Sequence, residues 1–286
     1  MSDTSPTLNT EALREGDHDA GLHKPVATVT RIDRPSSHLV RLLLSLPDSA
    51  SDPAWGLPNV ALRFNFGPEL DNASRVYTVR DHLAEQNAIT VDVVLHEGVG
   101  PMMTWIKGLG TGDTVSVMGP RPHFRFPQAD GHKVAVFADD TAIPALYSIL
   151  RQAPADLAGS AWVASSDTVA VAELSAPQGF TIHQLDPAQP DQAQPDAGGA
   201  LARQAQTLSD PAQFVVWGAG ERDEMRLVRR HFRNTVGLAK EHVCVFGYWK
   251  RGVTNTEIDA KRLAAYQAAL AKDASVTELD DWDIDI

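Results

Sequence analysis

Cysteine is nearly absent from this sequence: the 286-residue chain contains only Cys244. A single thiol forms no internal disulfide, which fits a reducing compartment. Iron–sulfur clusters are excluded as well, because they are typically held by about four cysteine thiolates. The sequence also lacks a cluster of Cys and His residues that would coordinate a metal. Any electron transfer by this chain must therefore use a bound organic cofactor, and no protein metal site is predicted.

Long apolar runs are missing too. No stretch approaches the roughly eighteen consecutive apolar residues that mark a membrane-spanning helix. The first 24 residues lack the apolar segment and the small-residue cleavage site of a secretory signal. We therefore expect a cytoplasmic protein that does not bind membranes.

Basic residues are outnumbered, and the formal net charge is −12. Most of the excess acid lies at the ends of the chain. Residues 1–24 carry five acidic and two basic residues, and residues 273–286 carry six acidic and no basic residues. This balance argues against nucleic-acid binding but leaves an anionic small substrate open. We predict a flexible acidic tail over 1–24 and a C-terminal helix with an acidic tail over 253–286.

Short strand-like runs make up the first half of the chain. Alternating or β-branched segments such as HLVRLLLSL, SRVYTVRDHL and AITVDVVLH are separated by Pro, Gly, Asn and Asp. No convincing helix lies among them. Strands at this spacing favour a closed antiparallel barrel, which we assign to residues 25–130.

The pattern changes after Gly131. Apolar runs such as HKVAVFA, GSAWVAS and QFVVWGAG alternate with amphipathic segments of helical spacing. This alternation predicts an α/β domain with a central parallel sheet and crossover helices over residues 131–252. Within it, the Pro-, Gln- and Ala-rich segment 186–200 is predicted to be a mobile loop.

Residues 75–80, RVYTVR, have the form R-x-Y-[ST], which resembles the flavin motif of ferredoxin–NADP-reductase-like enzymes. On a strand, Arg75 and Tyr77 lie on one face and Thr78 on the other. Tyr77 can pack against an isoalloxazine ring, and Arg75 can neutralise a diphosphate. Thr78 can contact the ring near N5, where hydride arrives. The alternative is an ordinary edge strand with a surface arginine and a half-buried tyrosine.

Residues 91–121, VDVVLHEGVGPMMTWIKGLGTGDTVSVMGPR, are similar to a pattern of siderophore-interacting proteins. That pattern is D-x-V-x-H-x-x-x-G-P-x-x-x-W, followed by G-D and then G-P. Gly100 permits close backbone approach, and Pro101 suits the first turn of a helix that runs to about Lys107.

The predicted helix start is a candidate diphosphate site. It offers the free N–H groups of Met102, Met103 and Thr104 to an anion. His96, just before it, is interpreted as a contact to ribityl or phosphate. A hydrogen bond from His96 to a neighbouring carbonyl is the alternative.

Two later blocks continue the resemblance. Residues 137–150, FADDTAIPALYSIL, resemble the family's G-D-E-T-A-L-P-A, with Ala138 in place of Gly and Asp140 in place of Glu. Thr141 can cap the helix that follows or face the cofactor. Because this block follows the first strand of a parallel sheet, it is where a nicotinamide would meet the flavin.

The last block ends the predicted sheet. Gly220 and Glu221 belong to WGAGE, which matches the family's W-x-x-G-E. Residues 247–252, GYWKRG, match its closing G-Y-W-[RK]-x-G. Four blocks in the same order, over roughly residues 25–252, make the chain resemble the siderophore-interacting proteins.

The resemblance implies both a fold and an activity. The implied fold is a six-stranded antiparallel Greek-key barrel that binds FAD, followed by an α/β domain that presents NADH or NADPH to it. The implied activity is reduction of ferric siderophores, whose hard anionic oxygens hold Fe(III) far more tightly than Fe(II), so that reduction releases iron for intracellular use. The implied catalytic residues are Tyr77, Thr78 and Thr141. The implied cofactor-binding residues are Arg75, Val76, Tyr77, Thr78, Val94, Leu95, His96, Gly100, Met102, Met103, Thr104, Asp140, Gly220 and Glu221.

Charged side chains near these blocks predict how the chain binds its substrate and its electron donor. Lys250 and Arg251 are predicted to attract an anionic ferric siderophore; the alternative is that both are solvated residues at a strand end. Asp167 is predicted to bond a ribose diol, which favours NADH over NADPH.

A row of arginines on one side of a predicted helix allows two interpretations. It is either a solvated face balanced by Asp223 and Glu224, or a cationic surface for a nicotinamide phosphate or an anionic siderophore. The row consists of Arg222, Arg226, Arg229 and Arg233.

Two other functions stay open, and the chain is expected to be a monomer. One is a flavin reductase or electron-transfer flavoprotein that serves another acceptor, and the other is a non-catalytic siderophore-binding protein.

Overall fold

The computed structural model describes residues 22–96, 100–122, 131–187, 198–253 and residue 257. The predicted N-terminal tail, most of the predicted loop 186–200 and nearly all of the predicted C-terminal helix and tail lie outside these ranges. Within the ranges, no helix combines the length and apolarity that crossing a membrane requires.

Six antiparallel strands close into a barrel in the first half of the chain. Their spatial order is β1-β2-β5-β4-β3-β6, and β6 pairs with β1 to complete the ring. Because β2 lies beside β5 while β3, β4 and β5 are consecutive, the connection is a Greek key. The strands are β1 Val26–Ser36, β2 Leu39–Ser45, β3 Val60–Asn65, β4 Ser74–Leu83, β5 Ala88–Val94 and β6 Thr114–Pro122. The predicted six-stranded barrel is therefore confirmed.

Alternation of side chains along the strands fills the barrel. In β2, Leu42 and Leu44 are fully buried, while Arg41 and Leu43, which alternate with them, are only partly buried. The helix α1, Pro101–Gly108, packs Met102, Met103 and Ile106 into the same core.

A five-stranded sheet, parallel throughout, forms the second domain, as predicted. Its order is β11-β10-β7-β8-β9. The strands are β7 Lys133–Asp139, β8 Gly159–Ala164, β9 Phe180–Leu185, β10 Phe214–Glu221 and β11 Val243–Trp249. The helices are α2 Ile143–Arg151, α3 Thr168–Ala172, α4 Ala200–Gln206 and α5 Arg222–Arg230, and a π-helical turn, His231–Val236, continues α5.

The side chains of successive residues in β7 lie on opposite faces of the sheet. Val136 packs with α2 and α3 on one face, and Phe137 packs with α4 and α5 on the other. From β7 the chain proceeds outward to β8 and β9, and it then returns to place β10 on the other side of β7. Ligands of open α/β sheets bind outside the carboxyl ends of the strands at such a reversal. The ends of β7 and β10 are therefore the expected binding edge.

Buried ion pairs join the two domains. Asp92 of the barrel accepts hydrogen bonds from Arg41 at 2.7 Å and from Arg80 at 3.1 Å. Glu173, just after α3, pairs with the same two arginines at 2.7 and 2.9 Å. The Arg80 guanidinium also lies 3.4 Å from the ring centre of Tyr147 in α2. This ion cluster fixes the cleft between barrel and sheet.

Candidate functional site

The R-x-Y-T motif lies in β4 and presents different chemistry on its two faces. Tyr77 and Val79 contribute to the barrel core, and the Tyr77 ring meets the ring of Phe64 edge-on with 5.6 Å between centres. Burial raises the pKa of Tyr77, although the nearby Arg75 lowers it, so the phenol stays neutral. Val76 between them points outward and is 45% exposed.

Thr78 is connected to the end of β11 through the start of β3. It pairs with Ala61 in β3, two residues after Asn59. Asn59 accepts a long hydrogen bond, 3.5 Å, from the Tyr248 hydroxyl and donates its N–H to Ser148 Oγ of α2 at 2.9 Å. The motif and the end of β11 therefore meet at one domain boundary.

The start of α1 differs in part from the prediction. Thr104 N–H donates to the Gly100 carbonyl at 2.9 Å, so the prediction that it is free for a diphosphate is wrong. Met102 and Met103 remain candidates through their N–H groups only, because their side chains are buried in the barrel core. In the first turn of a helix, such N–H groups have no acceptor within the helix itself.

The segment between β5 and α1 lies at the same boundary. Leu95 N–H donates to the His38 carbonyl at 2.8 Å, so only the side chain and carbonyl of Leu95 remain for a cofactor. Val94 is half-buried and packs against the core of the α/β domain, and His96 is exposed. Residues 97–99 of this block lie outside the described residues.

A buried carboxylate that the sequence analysis did not select holds the binding edge together. Asp139 Oδ1 accepts from the Thr141 N–H at 2.9 Å and from the Thr141 hydroxyl at 2.6 Å. Its Oδ2 accepts from the Glu221 N–H at 2.8 Å and from the Trp249 indole N–H at 2.7 Å. Thr141 is thus a donor to Asp139, the residue that caps the short turn before α2.

Glu221 secures the neighbouring turn. One of its carboxylate oxygens accepts from the Glu224 N–H at 2.9 Å and caps α5, and the other accepts from the Arg251 N–H at 3.1 Å. Lys250 Nζ lies 3.2 Å from Asp223 Oδ1, so its charge is partly neutralised. Arg251 is exposed. Lys250 and Arg251 therefore differ in how freely their charges reach the cleft.

Asp140 faces a small cavity between the domains. The cavity, about 10 Å³, is lined by His38, Asp140 and Asp167 together with Leu39, Asp92, Val94, Ile143, Pro144 and Ala170. Burial raises the pKa of Asp140, while Ser165 and His38 lower it. Its Oδ1 is buried without a hydrogen-bond partner among the described residues. A cavity of this size admits roughly one water molecule, so water is the donor that this oxygen can receive there.

The prediction that Asp167 binds a ribose diol is wrong. This carboxylate is 6% exposed and caps α3 by accepting from the N–H groups of Val169 at 3.1 Å and Ala170 at 3.0 Å. Its other oxygen bonds to the hydroxyl of Ser36 from the barrel. The local sequence is explained by helix capping, one of the commonest roles of Asp before a helix.

Two members of the arginine row support the edge of the sheet. Arg229 donates to the carbonyl of Val245 at 2.9 Å, and Arg222 approaches the carbonyl of Gly247 at 3.5 Å. Both carbonyls belong to β11, the edge strand. Glu224 is not a surface counter-charge: it is largely buried and accepts from the Leu201 and Ala202 N–H groups at the start of α4. Arg222, Arg229 and Glu224 therefore fit neither interpretation of the row, whereas Arg226 lies 3.9 Å from Asp223, as the solvated face balanced by that residue predicts.

The barrel residues fit an FAD. A diphosphate needs cations and N–H donors, and the ring needs an apolar or aromatic surface. Arg75 lies beside Tyr77, and the N–H groups of Met102 and Met103 lie in the first turn of α1. Val76, 45% exposed, is the most exposed residue of β4, and a planar ring would cover it.

Comparison with known proteins gives matches along most of the chain. Residues 31–124 match the family profile described as siderophore-interacting FAD-binding domain, and residues 131–252 match the one described as siderophore-interacting protein. The first match confirms the predicted FAD. The chain is 32% identical over 277 residues to the ferric acinetobactin reductase of Acinetobacter baumannii, which covers 96% of this chain and 95% of the relative.

Solved structures agree with these matches. A siderophore-interacting protein from Acinetobacter baumannii superposes with a TM-score of 0.79 at 31% identity, covering 87% of this chain and 99% of that one. The ferredoxin–NADP+ reductase of Plasmodium falciparum, 13% identical, has a TM-score of 0.58 and covers 79% of this chain and 97% of that one. The second likeness concerns the fold alone.

Proposed function

Because the chain belongs to the siderophore-interacting protein family, we propose that it reduces ferric siderophores through bound FAD, with NADH or NADPH as the electron donor. The observation that carries this proposal is similarity to a ferric-siderophore reductase along nearly the whole chain, across both the barrel and the sheet. FAD supplies the conversion between a donor of electron pairs and an acceptor of single electrons.

The barrel holds FAD in this proposal. Arg75 and the N–H groups of Met102 and Met103 bind the diphosphate, and the exposed Val76 contacts the ring system, while Tyr77 supports the strand from the barrel core. Thr78, Val94, Leu95, His96 and Gly100 complete the contacts along the boundary with the α/β domain.

The carboxyl ends of β7 and β10 receive the nicotinamide. Asp140 contacts it from the turn after β7, and Gly220 leaves room for the Asp139 side chain between the two strand ends. Thr141 and Glu221 act through the bonds that shape this edge. With Asp167 excluded as a ribose ligand, the residues described do not favour NADH.

The substrate is an anionic ferric chelate that the protein binds as a whole. No three His, Cys, Asp or Glu side chains among the described residues form a group suited to a metal ion. The iron therefore keeps its siderophore oxygens as ligands, and the protein contributes charge and shape. Arg251 is the better candidate for this attraction, because Lys250 already pairs with Asp223. A monomer in the cytoplasm suffices for this activity.

The deciding experiment measures the colour of the bound flavin under anaerobic conditions. The purified protein should be yellow, should bleach when NADH or NADPH is added, and should regain its colour when a ferric siderophore is added. Trapping of Fe(II) by a ferrous chelator then measures the product. A colourless protein that still binds the chelate would favour a binding module. Bleached protein that reduces free FMN but no ferric chelate would favour a flavin reductase.

A further inference from the structure

One buried carboxylate beside the cleft has no part in the chemistry above. Asp139 ends β7, and its four donors come from the turn after β7, from β10 and from β11. A single side chain therefore ties the carboxyl ends of three parallel strands together. The donor from β11 is the indole N–H of Trp249, the last residue of that strand.

The chain reverses directly after Trp249. Lys250 pairs with Val253 across a tight turn, and the N–H of Arg251 bonds to Glu221. The predicted substrate-binding side chains thus sit on a turn with two anchors, the indole of Trp249 and the backbone of Arg251. A tryptophan side chain has only one polar atom, the Nε1–H donor, so the bond to Asp139 is the one side-chain hydrogen bond that orients the ring.

The neighbouring strand leaves space for this carboxylate. Gly220 has φ +157°, and a Cβ at that position would lie 2.6 Å from Asp139 Oδ2. Any other residue at 220 would displace the oxygen that holds Trp249.

Resting on the proposed function, we propose that Asp139 is a positioning residue: by holding the indole of Trp249 it sets the Lys250–Gly252 turn in the orientation that binds the ferric siderophore. Asp139 acts through Trp249, and its loss should weaken substrate binding more than electron transfer.

The titration of Asp139 gives a readout that general packing would not. Burial raises the pKa of Asp139 to about 6, against the hydrogen bonds from Thr141 and Trp249 that lower it. The ionisable groups that face it are Asp140, Glu221 and Tyr248. Among its four donors only the Thr141 hydroxyl can reverse and accept a proton. In the parent protein, a protonated Asp139 can therefore donate to Thr141, which leaves Trp249 with a neutral acceptor that is weaker than the carboxylate.

The test combines two single variants and their double variant. Trp249→Phe removes the indole N–H and keeps an aromatic ring. Asp139→Asn removes the negative charge of the side chain that accepts the indole hydrogen bond. Each should raise KM for the ferric complex of 2,3-dihydroxybenzoate about tenfold, as expected for loss of a hydrogen bond to a charged group, with kcat nearly unchanged. The double variant should be no worse than the worse single variant, because both changes remove one interaction. KM effects that multiply in the double variant would overturn the proposal.

A second experiment is spectroscopic and needs no substrate. The indole N–H resonance of Trp249, assigned by its absence in Trp249→Phe, should move in Asp139→Asn. It should titrate with pH in the parent with a midpoint at about 6, and the midpoint should rise in Thr141→Val, which removes a hydrogen bond that lowers the pKa of Asp139. If the Trp249 resonance does not move in Asp139→Asn, the proposal is overturned, whatever the activity of that variant. If the parent protein reduces no ferric chelate, the proposed function fails and the substrate role of Asp139 fails with it. The resonance would still decide whether Asp139 holds Trp249.

Discussion

At the residue scale, Arg75 gives the most direct test of the flavin site. Its guanidinium lies beside Tyr77 and donates to the Ser74 carbonyl at 2.7 Å, and it is the cation that we propose for the diphosphate. Arg75→Ala should weaken FAD binding roughly ten- to hundredfold, since a hydrogen bond to a charged group contributes about 1.5–3 kcal/mol. FAD content after gel filtration and titration of the stripped protein measure this. Arg230→Ala, the same change at an exposed position of α5, is the control. Equal FAD content in both variants would contradict the assignment.

The turn after β11 allows a test with two variants that should change KM in opposite directions. Arg251→Ala should raise KM for an anionic ferric chelate at low salt and much less at high salt, because the Debye length is only about 10 Å at 0.1 M. Asp223→Asn frees Lys250 from its ion pair and should lower KM under the same low-salt conditions. If neither variant changes KM at any salt concentration, the substrate is attracted elsewhere.

At the scale of elements, local patterns predicted the strands and missed the contacts made by strand ends. Alternation in HLVRLLLSL is visible in sequence because Leu42 and Leu44 share one face of β2. The two aspartates 139 and 140 are adjacent and chemically identical, and the fold alone decides which one is enclosed by β10 and β11. The only sequence signal for Asp139 was the Asp of the G-D-E-T pattern.

Helix α5 shows the same limit. Its arginines and acids suggested a solvated or ligand-binding face, yet the partners of Arg229 and Glu224 lie 16 residues later and 23 residues earlier in the chain. Helical periodicity describes neighbours within a few positions. Burial accordingly raises the pKa of Glu224, although the N–H groups of α4 lower it. A carboxylate that caps another helix cannot be distinguished in sequence from one on the surface.

At the scale of the molecule, the two domains depend on the ion cluster of Arg41, Arg80, Asp92 and Glu173. The side chains of Arg80 and Asp92 are 4% and 1% exposed, so each charge relies on its partners rather than on water. Hydrogen bonds from Arg41 lower the pKa of Glu173 although burial opposes them, and the charge of Arg80 adds to this effect. An acid whose pKa is lower in the folded state stabilises that state at neutral pH. Its contribution is lost as the pH falls through the lowered pKa.

Breaking this cluster should therefore cost far more than breaking a surface ion pair. Arg80→Leu leaves Asp92 and Glu173 to share Arg41 and removes the cation over Tyr147, so the free energy of unfolding should fall by about 3–5 kcal/mol. Arg31→Leu, which removes an exposed pair with Asp33, should cost at most about 1 kcal/mol. Urea unfolding at neutral pH measures both. Glu173→Gln removes the one carboxylate that the α/β domain contributes, and we expect the barrel and the sheet of that variant to unfold in separate transitions. A single unchanged transition in Arg80→Leu and Glu173→Gln would mean that the other contacts between the domains hold them together, and that the cleft does not depend on these charges.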